Sequence, residues 1–288
     1  TAAAPGGGGG GAQWSPCEPR AVYIPANDTL RRTVVTGPED PKVVEAGGRT
    51  FFAFNSIPPA ALVAGGGGCG DGSFSVSQMF LASAAPATAI QGTPAVRIDC
   101  GWKKVAEKNW IAFEYLGQLS LVYSVHPHAV VQARPGDGAC RARWSTTNPA
   151  LARLSLDSPG IGIHGSGTAT RPPTAPEGDY HALFHTVLAG RYVTYAYTFS
   201  PSPPFSISSI SSPLPLAGGA SFASGLAFVP TGEGEGAEGW KAVVTYGYDN
   251  AESRALVMSE GRYRGLFNAS CELPPPNPAE RRGGGEGE

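Results

Sequence analysis

The sequence predicts an all-β fold, a β-propeller, and three observations lead to that class. Short apolar strands alternate with Gly-containing turns along most of the 288 residues, and long amphipathic helical patterns are missing almost everywhere. A unit of about sixty residues recurs, with a polar or Gly-containing opening and a second strand that ends on an aromatic residue. Those aromatics, Phe54, Tyr123, Phe184 and Tyr246, stand 69, 61 and 62 residues apart. A near-constant period made only of hairpins is what stacked four-stranded blades produce.

Each copy of the repeat predicts the first two strands of one blade. These strand pairs are 37–44 with 50–56, 107–113 with 119–125, 165–168 with 180–186, and 224–227 with 242–248. Outer strands are predicted at 76–82, 129–133, 192–199 and 255–258. Four blades are therefore visible, and a fifth of a five-bladed propeller is incomplete or closed by the termini, with 21–25 as one contribution. The alternative is a β-sandwich, which explains the strands but not their even spacing.

Composition separates a core-forming domain from its flanks. The chain holds 40 glycines and 27 prolines, and many of the glycines lie in four tracts that cannot bury apolar area. We expect a Gly/Ala-rich tail over 1–20, one propeller domain over 21–272 and a disordered Pro/Gly-rich tail over 273–288. A net charge of −2 without a Lys/Arg cluster argues against a nucleic-acid partner. The sequence contains no run of eighteen or more apolar residues, so no membrane span is predicted.

Cysteines and sequons indicate a secretory lumen. None of the five cysteines forms a CxxC pair, which disfavours a zinc or redox motif, and their wide spacing fits one or two disulfides. Two glycosylation sequons, at 27–29 and 268–270, point the same way. We therefore expect a glycoprotein of the Golgi lumen or the extracellular space. No cofactor is predicted.

Polar residues recur where the predicted inner strands begin, and these starts meet at one mouth of a propeller channel. They include Glu39 and Asp40 in the first copy and 107–109 in the second. The ends of the second strands are expected nearby, with the side chains of Asn55, His126, His128, His185, Asp249 and Asn250.

Residue chemistry suggests a role for the first of these groups. Asp40 on a channel rim suits a general acid, although an Asp before Pro41 is also an ordinary turn residue. Lys108 and Asn109 suit sugar hydroxyls or an anionic group, and a surface salt bridge is the alternative. Glycine-rich 165–167 lacks both the βαβ unit of a dinucleotide loop and the pattern of a nucleophile elbow.

The two histidines of the second copy form a separate group. The imidazoles of His126 and His128 suit a phosphate or a sugar hydroxyl better than zinc, because no third ligand follows at a fixed spacing. A structural role in a loop is the alternative.

At these residues the chain resembles the five-bladed propeller glycosidases and phosphorylases, in particular the family 130 mannoside phosphorylases and related β-mannosyltransferases. Residues 37–42, GPEDPK, are similar to that group's Gly-x-Glu-Asp-Pro-Arg signature, and 246–250, YGYDN, are similar to its Tyr-Gly-x-x-Asp segment. The resemblance covers about 37–258 and rests on the order and spacing of short motifs.

The resemblance implies site residues and two departures from the pattern. It implies that Asp40 is the general acid, acting directly or through a substrate hydroxyl, and that Lys108 contacts the sugar or phosphate. Asp249 or Asn250 would bind the terminal sugar, while Glu39, Lys42 and Tyr246 stand within the matching motifs. Lys42 replaces the signature Arg and loses its bidentate recognition of phosphate or carboxylate. Asn250 occupies the position of the last-blade Asp.

Two functions remain open from the sequence. One is a carbohydrate-active enzyme acting on glycosidic bonds, either a hydrolase or phosphorylase or a glycosyltransferase that uses a sugar phosphate or sugar nucleotide. The other is a non-catalytic propeller that binds glycans or protein partners, which the two departures favour.

Overall fold

A computed structural model describes residues 39–56, 77–84, 95–101, 107–157, 162–188, 191–218, 220–232, 239–249 and 251–268. Most of these residues lie in fifteen strands. The strands are β1 (Glu39–Ala46), β2 (Arg49–Ser56), β3 (Gln78–Ala84), β4 (Val96–Arg97), β5 (Ile111–Tyr115), β6 (Gln118–Ser124), β7 (His128–Ala133), β8 (Cys140–Thr146), β9 (His164–Thr170), β10 (Tyr180–Leu188), β11 (Arg191–Phe199), β12 (Ile207–Pro213), β13 (Ser221–Pro230), β14 (Trp240–Tyr248) and β15 (Glu252–Ser259). Two helices are described, α1 (Pro149–Asp157) and α2 (Glu260–Asn268).

The strands form four antiparallel meanders in chain order. β1–β4, β5–β8 and β9–β12 are four-stranded, and the described part of the fourth meander is β13–β15. The second and third meanders join into one eight-stranded sheet through a parallel bridge between Ala112 of β5 and Thr168 of β9. This is the order in which blades follow one another in a propeller.

The first strands of the four meanders meet at the centre. β5 contacts β1 and β9, β9 contacts β13, and β1 reaches β13. Glycine permits this approach: a Cβ at Gly165 would lie 2.4 Å from the carbonyl oxygen of Asn109, and one at Gly167 would lie 3.0 Å from the Cα of Gly225. These inner strands therefore begin at one common mouth, where their polar starts lie.

The core lies between successive meanders. One cluster joins the first and second meanders and includes Phe51, Leu81 and Leu121. A second, rich in aromatics such as Phe113, joins the second to the third, and a third cluster packs Trp240 against α2. Burial of these apolar side chains between successive meanders holds the meanders together, at about 25 cal/mol for each Å² removed from water.

A disulfide links the first two meanders. Cys100, which follows β4, is bonded to Cys140 at the start of β8, across 40 residues of sequence. An isolated parallel bridge between Asp99 and Ala139 lies beside it. The prediction of at least one disulfide is therefore confirmed. No helix among the described residues is long and apolar enough to cross a bilayer.

The predicted all-β, propeller-like class is confirmed, and the number of blades stays a prediction. The first two strands of each meander and the third strands β3, β7, β11 and β15 lie where the repeat places them. The fourth strands β4, β8 and β12 and both helices were not predicted. The proposed contribution of 21–25 to a fifth blade and both predicted tails, 1–20 and 273–288, lie outside the described residues.

Candidate functional site

A cavity of about 710 Å³ opens at the mouth where the inner strands begin. All four meanders contribute to its wall. Its polar lining consists of Asp40, Lys42, Lys108, Asn109, His164, His185, Tyr192, Ser224 and Ser253. Five of the predicted site residues lie together in this lining, namely Asp40, Lys42, Lys108, Asn109 and His185, and their chemical roles remain predictions.

A β-bulge turns Lys42 into the cavity. The pairing of β1 with β2 shifts between Glu39, opposite Asn55, and Lys42, opposite Ala53, and Asp40 has a positive φ of 50°. Bulges re-aim side chains in this way. Lys42 is only 5% exposed, and its Nζ donates to the carbonyl oxygen of Asp40 at 3.4 Å. Burial lowers the pKa of Lys42, while the charge of Asp40 opposes that shift.

Two histidines face each other across the pairing of β9 with β10. His164 and His185 are register partners, and their ring centroids are 5.5 Å apart. His185 is 2% exposed, and its Nδ1 lies 2.8 Å from the Oγ of buried Ser166. Burial lowers the pKa of His185 to about 3, and the nearby charges of His164, Lys42 and Lys108 act in the same direction. The imidazole is therefore neutral at pH 7.

The segment before β5 is fixed from both sides. The hydroxyl of Tyr123 donates to the carboxylate of Glu107 at 3.0 Å, and burial together with that carboxylate raises the pKa of Tyr123. Trp110 packs edge-on against Tyr123 with centroids 4.9 Å apart. Asn109 has a positive φ of 62°, a conformation that Asn tolerates better than most residues. Exposed Lys108 is thereby held at the rim of the cavity.

Aromatic side chains line the side of the cavity next to His185. The ring of Phe222 lies 4.8 Å from the imidazole of His185, and the ring of Tyr192 lies 5.4 Å from it, measured between centroids. Tyr192 is 42% exposed, so part of its side chain is open to solvent. An aromatic edge beside charged groups offers a ligand both an apolar face and hydrogen-bond donors.

Charge sets the chemistry of this cavity. Among the described lining residues Asp40 is the single carboxylate, and it stands beside two lysines and two histidines. Such a donor-rich wall attracts an anionic group. No group of three metal-ligating side chains occurs in the described part of the chain.

Two predicted residues support the site from behind the cavity wall. Glu39 accepts a hydrogen bond from the side-chain amide of buried Asn55 at 3.1 Å, across the β1–β2 pair. Neither residue lines the cavity. Because they are committed to each other, they stabilise the start of β1 and so the bulge that carries Asp40.

The predicted histidines of the second meander lie elsewhere. His128 is 1% exposed and packs against Tyr197 and Phe199 in the core, where burial lowers its pKa to about 4. His126 lines a separate, smaller groove of about 350 Å³ together with Trp144. The expectation that both reach the channel mouth is wrong, because β7 starts at His128 and its first side chain turns inward toward the third meander.

The last-blade residues are also placed differently from the expectation. The carboxylate of Asp249 accepts a hydrogen bond from the backbone N–H of Ala220 at 2.9 Å, and therefore fixes the start of β13. Tyr246 is buried in β14, and neither it nor Asp249 lines the cavity. Asn250 lies outside the described residues.

Sequence reasoning missed several cavity residues. His164, Tyr192 and Phe222 were not predicted as site residues, and neither was Ser166, which lies behind His185 and does not line the cavity. The register of β9 with β10 is the signal that places His164 opposite His185, and it requires the bulge between His181 and Leu183 to be known. Tyr192 reaches the cavity from β11, the third strand of its meander, which no pattern of inner-strand starts indicates.

Comparison with known proteins gives a structural likeness only. No protein-family model matches the chain, and no curated protein does. A glycosyl hydrolase from Bacteroides ovatus is similar at a TM-score of 0.52 and 12% identity, over 84% of this chain and 70% of that one. A protein assigned as a glycoside hydrolase from Bacteroides ovatus ATCC 8483 gives 0.50 and 11%, over 82% and 73%.

A third structure was reported in work stating that the GH130 family of mannoside phosphorylases contains glycoside hydrolases that target β-1,2 mannosidic linkages in Candida mannan. It is similar at a TM-score of 0.47 and 13% identity, over 82% of this chain and 69% of that one. The resemblance to propeller glycosidases predicted from the sequence is confirmed at the level of the fold. The mostly-β, propeller-like fold of the chain is similar to that of the two Bacteroides ovatus proteins.

Proposed function

We propose that this chain is a carbohydrate-active enzyme that acts on a glycosidic bond at the channel mouth. The observation that carries the proposal is the composition of the cavity, in whose described lining Asp40 is the one carboxylate among Lys42, Lys108, His164 and His185. Its aromatic edge suits the apolar face of a sugar ring. The shared fold with glycoside hydrolases is compatible with this role.

The number of carboxylates favours one reaction class over another. Inverting hydrolysis uses two carboxylates about 6.5–9.5 Å apart, one as acid and one to activate water. The described lining supplies one acid and a cationic wall instead. Phosphate held by the lysines would attack the anomeric carbon as the glycosidic C–O bond breaks, and Asp40 would give its proton to the leaving oxygen. Phosphorolysis, or its reverse as transfer from a sugar phosphate, therefore fits better than hydrolysis.

Several finer expectations belong to the same proposal. Asp40 acts as the acid, while Lys42, Lys108, Asn109 and His185 bind substrate. The unit is a five-bladed propeller domain over about 21–272 that works in a secretory lumen or outside the cell. The Cys100–Cys140 disulfide and the exposed Asn268 of the second sequon support that compartment.

A second candidate is a glycan-binding propeller without turnover. It is favoured by the exposure of Asp40, since a general acid is usually tuned by a partly desolvated setting. In that case the same cavity holds an acidic sugar and leaves it intact.

One experiment separates the two candidates. The purified chain is incubated with β-mannosides and other glycosides with and without inorganic phosphate, and sugar phosphate and free sugar are quantified. Phosphate-dependent turnover that falls by about 10²-fold or more in Asp40→Asn supports the enzyme. Glu45→Gln, which removes a carboxylate from the far end of the same strand, is the matched control and should be unchanged.

Turnover that survives Asp40→Asn would remove Asp40 from the mechanism. Glycan binding without turnover of any glycoside would establish the binding module instead.

A further inference from the structure

Ser166 and His185 form a buried pair whose hydrogen positions follow from the surroundings. Ser166 is fully buried on β9, and its Oγ lies 2.8 Å from Nδ1 of His185. Either atom can be the donor, depending on the tautomer. A neutral imidazole has one N–H and one lone pair, and the partner of one nitrogen fixes the role of the other.

The serine hydroxyl decides between the two tautomers. Among the described residues, Nδ1 of His185 is the one hydrogen-bond partner of Ser166 Oγ. If Nδ1 carried the proton, Ser166 would accept, and its own buried O–H would have no acceptor there. An unsatisfied buried donor is costly, whereas an unused lone pair of an oxygen costs less. Ser166 O–H therefore donates to Nδ1, and Nε2 carries the ring hydrogen.

We infer that Ser166 is a positioning residue that holds His185 as a neutral Nε2–H donor at the wall of the cavity. His185 lines the cavity, and its Nδ1 edge is committed to the interior. The groups around the ring are His164 on β9, Lys42 on β1, Lys108 before β5, Tyr192 on β11 and Phe222 on β13. None of these groups is an acid; Asp40 lines the same cavity, but it is not among the charges that shift the pKa of His185.

The pair extends the proposed function, on which this part of the inference rests. Lys42, Lys108 and the Nε2–H of His185 all donate, and a neutral donor adds a hydrogen bond without adding a charge. These three donors therefore favour a ligand oxygen that carries no hydrogen, such as that of a phosphate or carboxylate group, over a hydroxyl group that would itself have to donate.

The test is the protonation state of the His185 ring nitrogens in the ligand-free protein, read by long-range ¹H–¹⁵N NMR at pH 7, with His185→Gln for assignment. We expect a protonated Nε2 and an unprotonated Nδ1. In Ser166→Ala the preference should weaken and the pKa of His185 should rise by about one unit, because the hydroxyl no longer competes with a proton on Nδ1. Ser166→Thr, which keeps the hydroxyl, should restore both.

A protonated Nδ1 in the wild type, or a pKa that falls in Ser166→Ala, would overturn the assignment. If Ser166→Ala does not fold, the wild-type spectrum alone decides. Titration with inorganic phosphate is a separate arm: failure to shift the Nε2 signal contradicts the proposed function and leaves the pair as assigned.

Discussion

Replacing Gly165 with alanine tests whether the inner strands are packed as tightly as the structure shows. A Cβ at this position would lie 2.4 Å from the carbonyl oxygen of Asn109 and 2.6 Å from a side-chain carbon of Ile111, whereas real Cβ contacts essentially never fall below 3.0 Å. β9 and β5 would have to part by roughly 0.6 Å. The contact with Asn109 involves backbone, so it cannot be relieved by a rotamer change.

The expected cost follows from overpacking. Inserting a methyl group into a packed interior typically costs about 1–3 kcal/mol, and we expect Gly165→Ala to lower the free energy of unfolding by that amount. For a chain of this size the melting temperature should fall by about 2–4 °C for each kcal/mol. Urea unfolding followed by the fluorescence of buried Trp110 and Trp240 measures the change.

Gly247→Ala is the matched control. Gly247 also lies in a strand, and a Cβ there would meet nothing within 4 Å. Its unfolding free energy should stay within about 0.5 kcal/mol of the wild type. If Gly165→Ala were as stable as this control, the inner strands would be loosely packed at this point, and their close approach would not constrain the channel mouth.

Two further predictions concern stability. Replacing Cys100 and Cys140 with serine should lower the free energy of unfolding by up to about 4 kcal/mol, because the disulfide closes a loop of 40 residues in the unfolded chain. Urea unfolding with and without reductant measures this change, and equal unfolding midpoints would contradict the disulfide. The folded-state pKa of His128, about 4, lies below the ordinary histidine value of 6.5, so the unfolded chain takes up a proton first as the pH falls. Stability should decline from about pH 6.5 toward 4 with a slope of up to about 1.4 kcal/mol per pH unit from this group. His128→Phe should remove that share, although His181 and His185 titrate similarly, and an unchanged slope would count against the buried neutral ring.

The period of the repeat predicted the fold because each meander needs the same sequence of strands and turns. The starts of inner strands were predictable in position for the same reason, and so were Asp40, Lys108 and Asn109 at the mouth. The direction of side chains was less predictable. One bulge between Glu39 and Lys42 decides that the lysine turns inward, and the sequence marks it only by Pro41.

For a related reason, the side-chain directions of residues near strand ends could not be predicted from the sequence. His126 and His128 differ by two positions, but one lies in a groove with Trp144 and the other lies in the core. A loop of a few residues can rotate a side chain to either face, and periodicity does not extend across it. Asp249 illustrates the same limit, since its carboxylate is used to fix the backbone at Ala220.

The wall of the cavity is built from Asp40, Lys108, His185 and Phe222, which belong to four different meanders. A ligand that touches all four sides would act as a non-covalent clasp across the ring, in addition to the disulfide that joins the first two meanders. Such a ligand would bind only when the meanders are docked together. At 100 times its dissociation constant it would therefore raise the free energy of unfolding by about 2.7 kcal/mol. Conversely, separation of any one meander would remove part of the wall, which makes occupancy of the cavity a measure of how completely the ring is assembled.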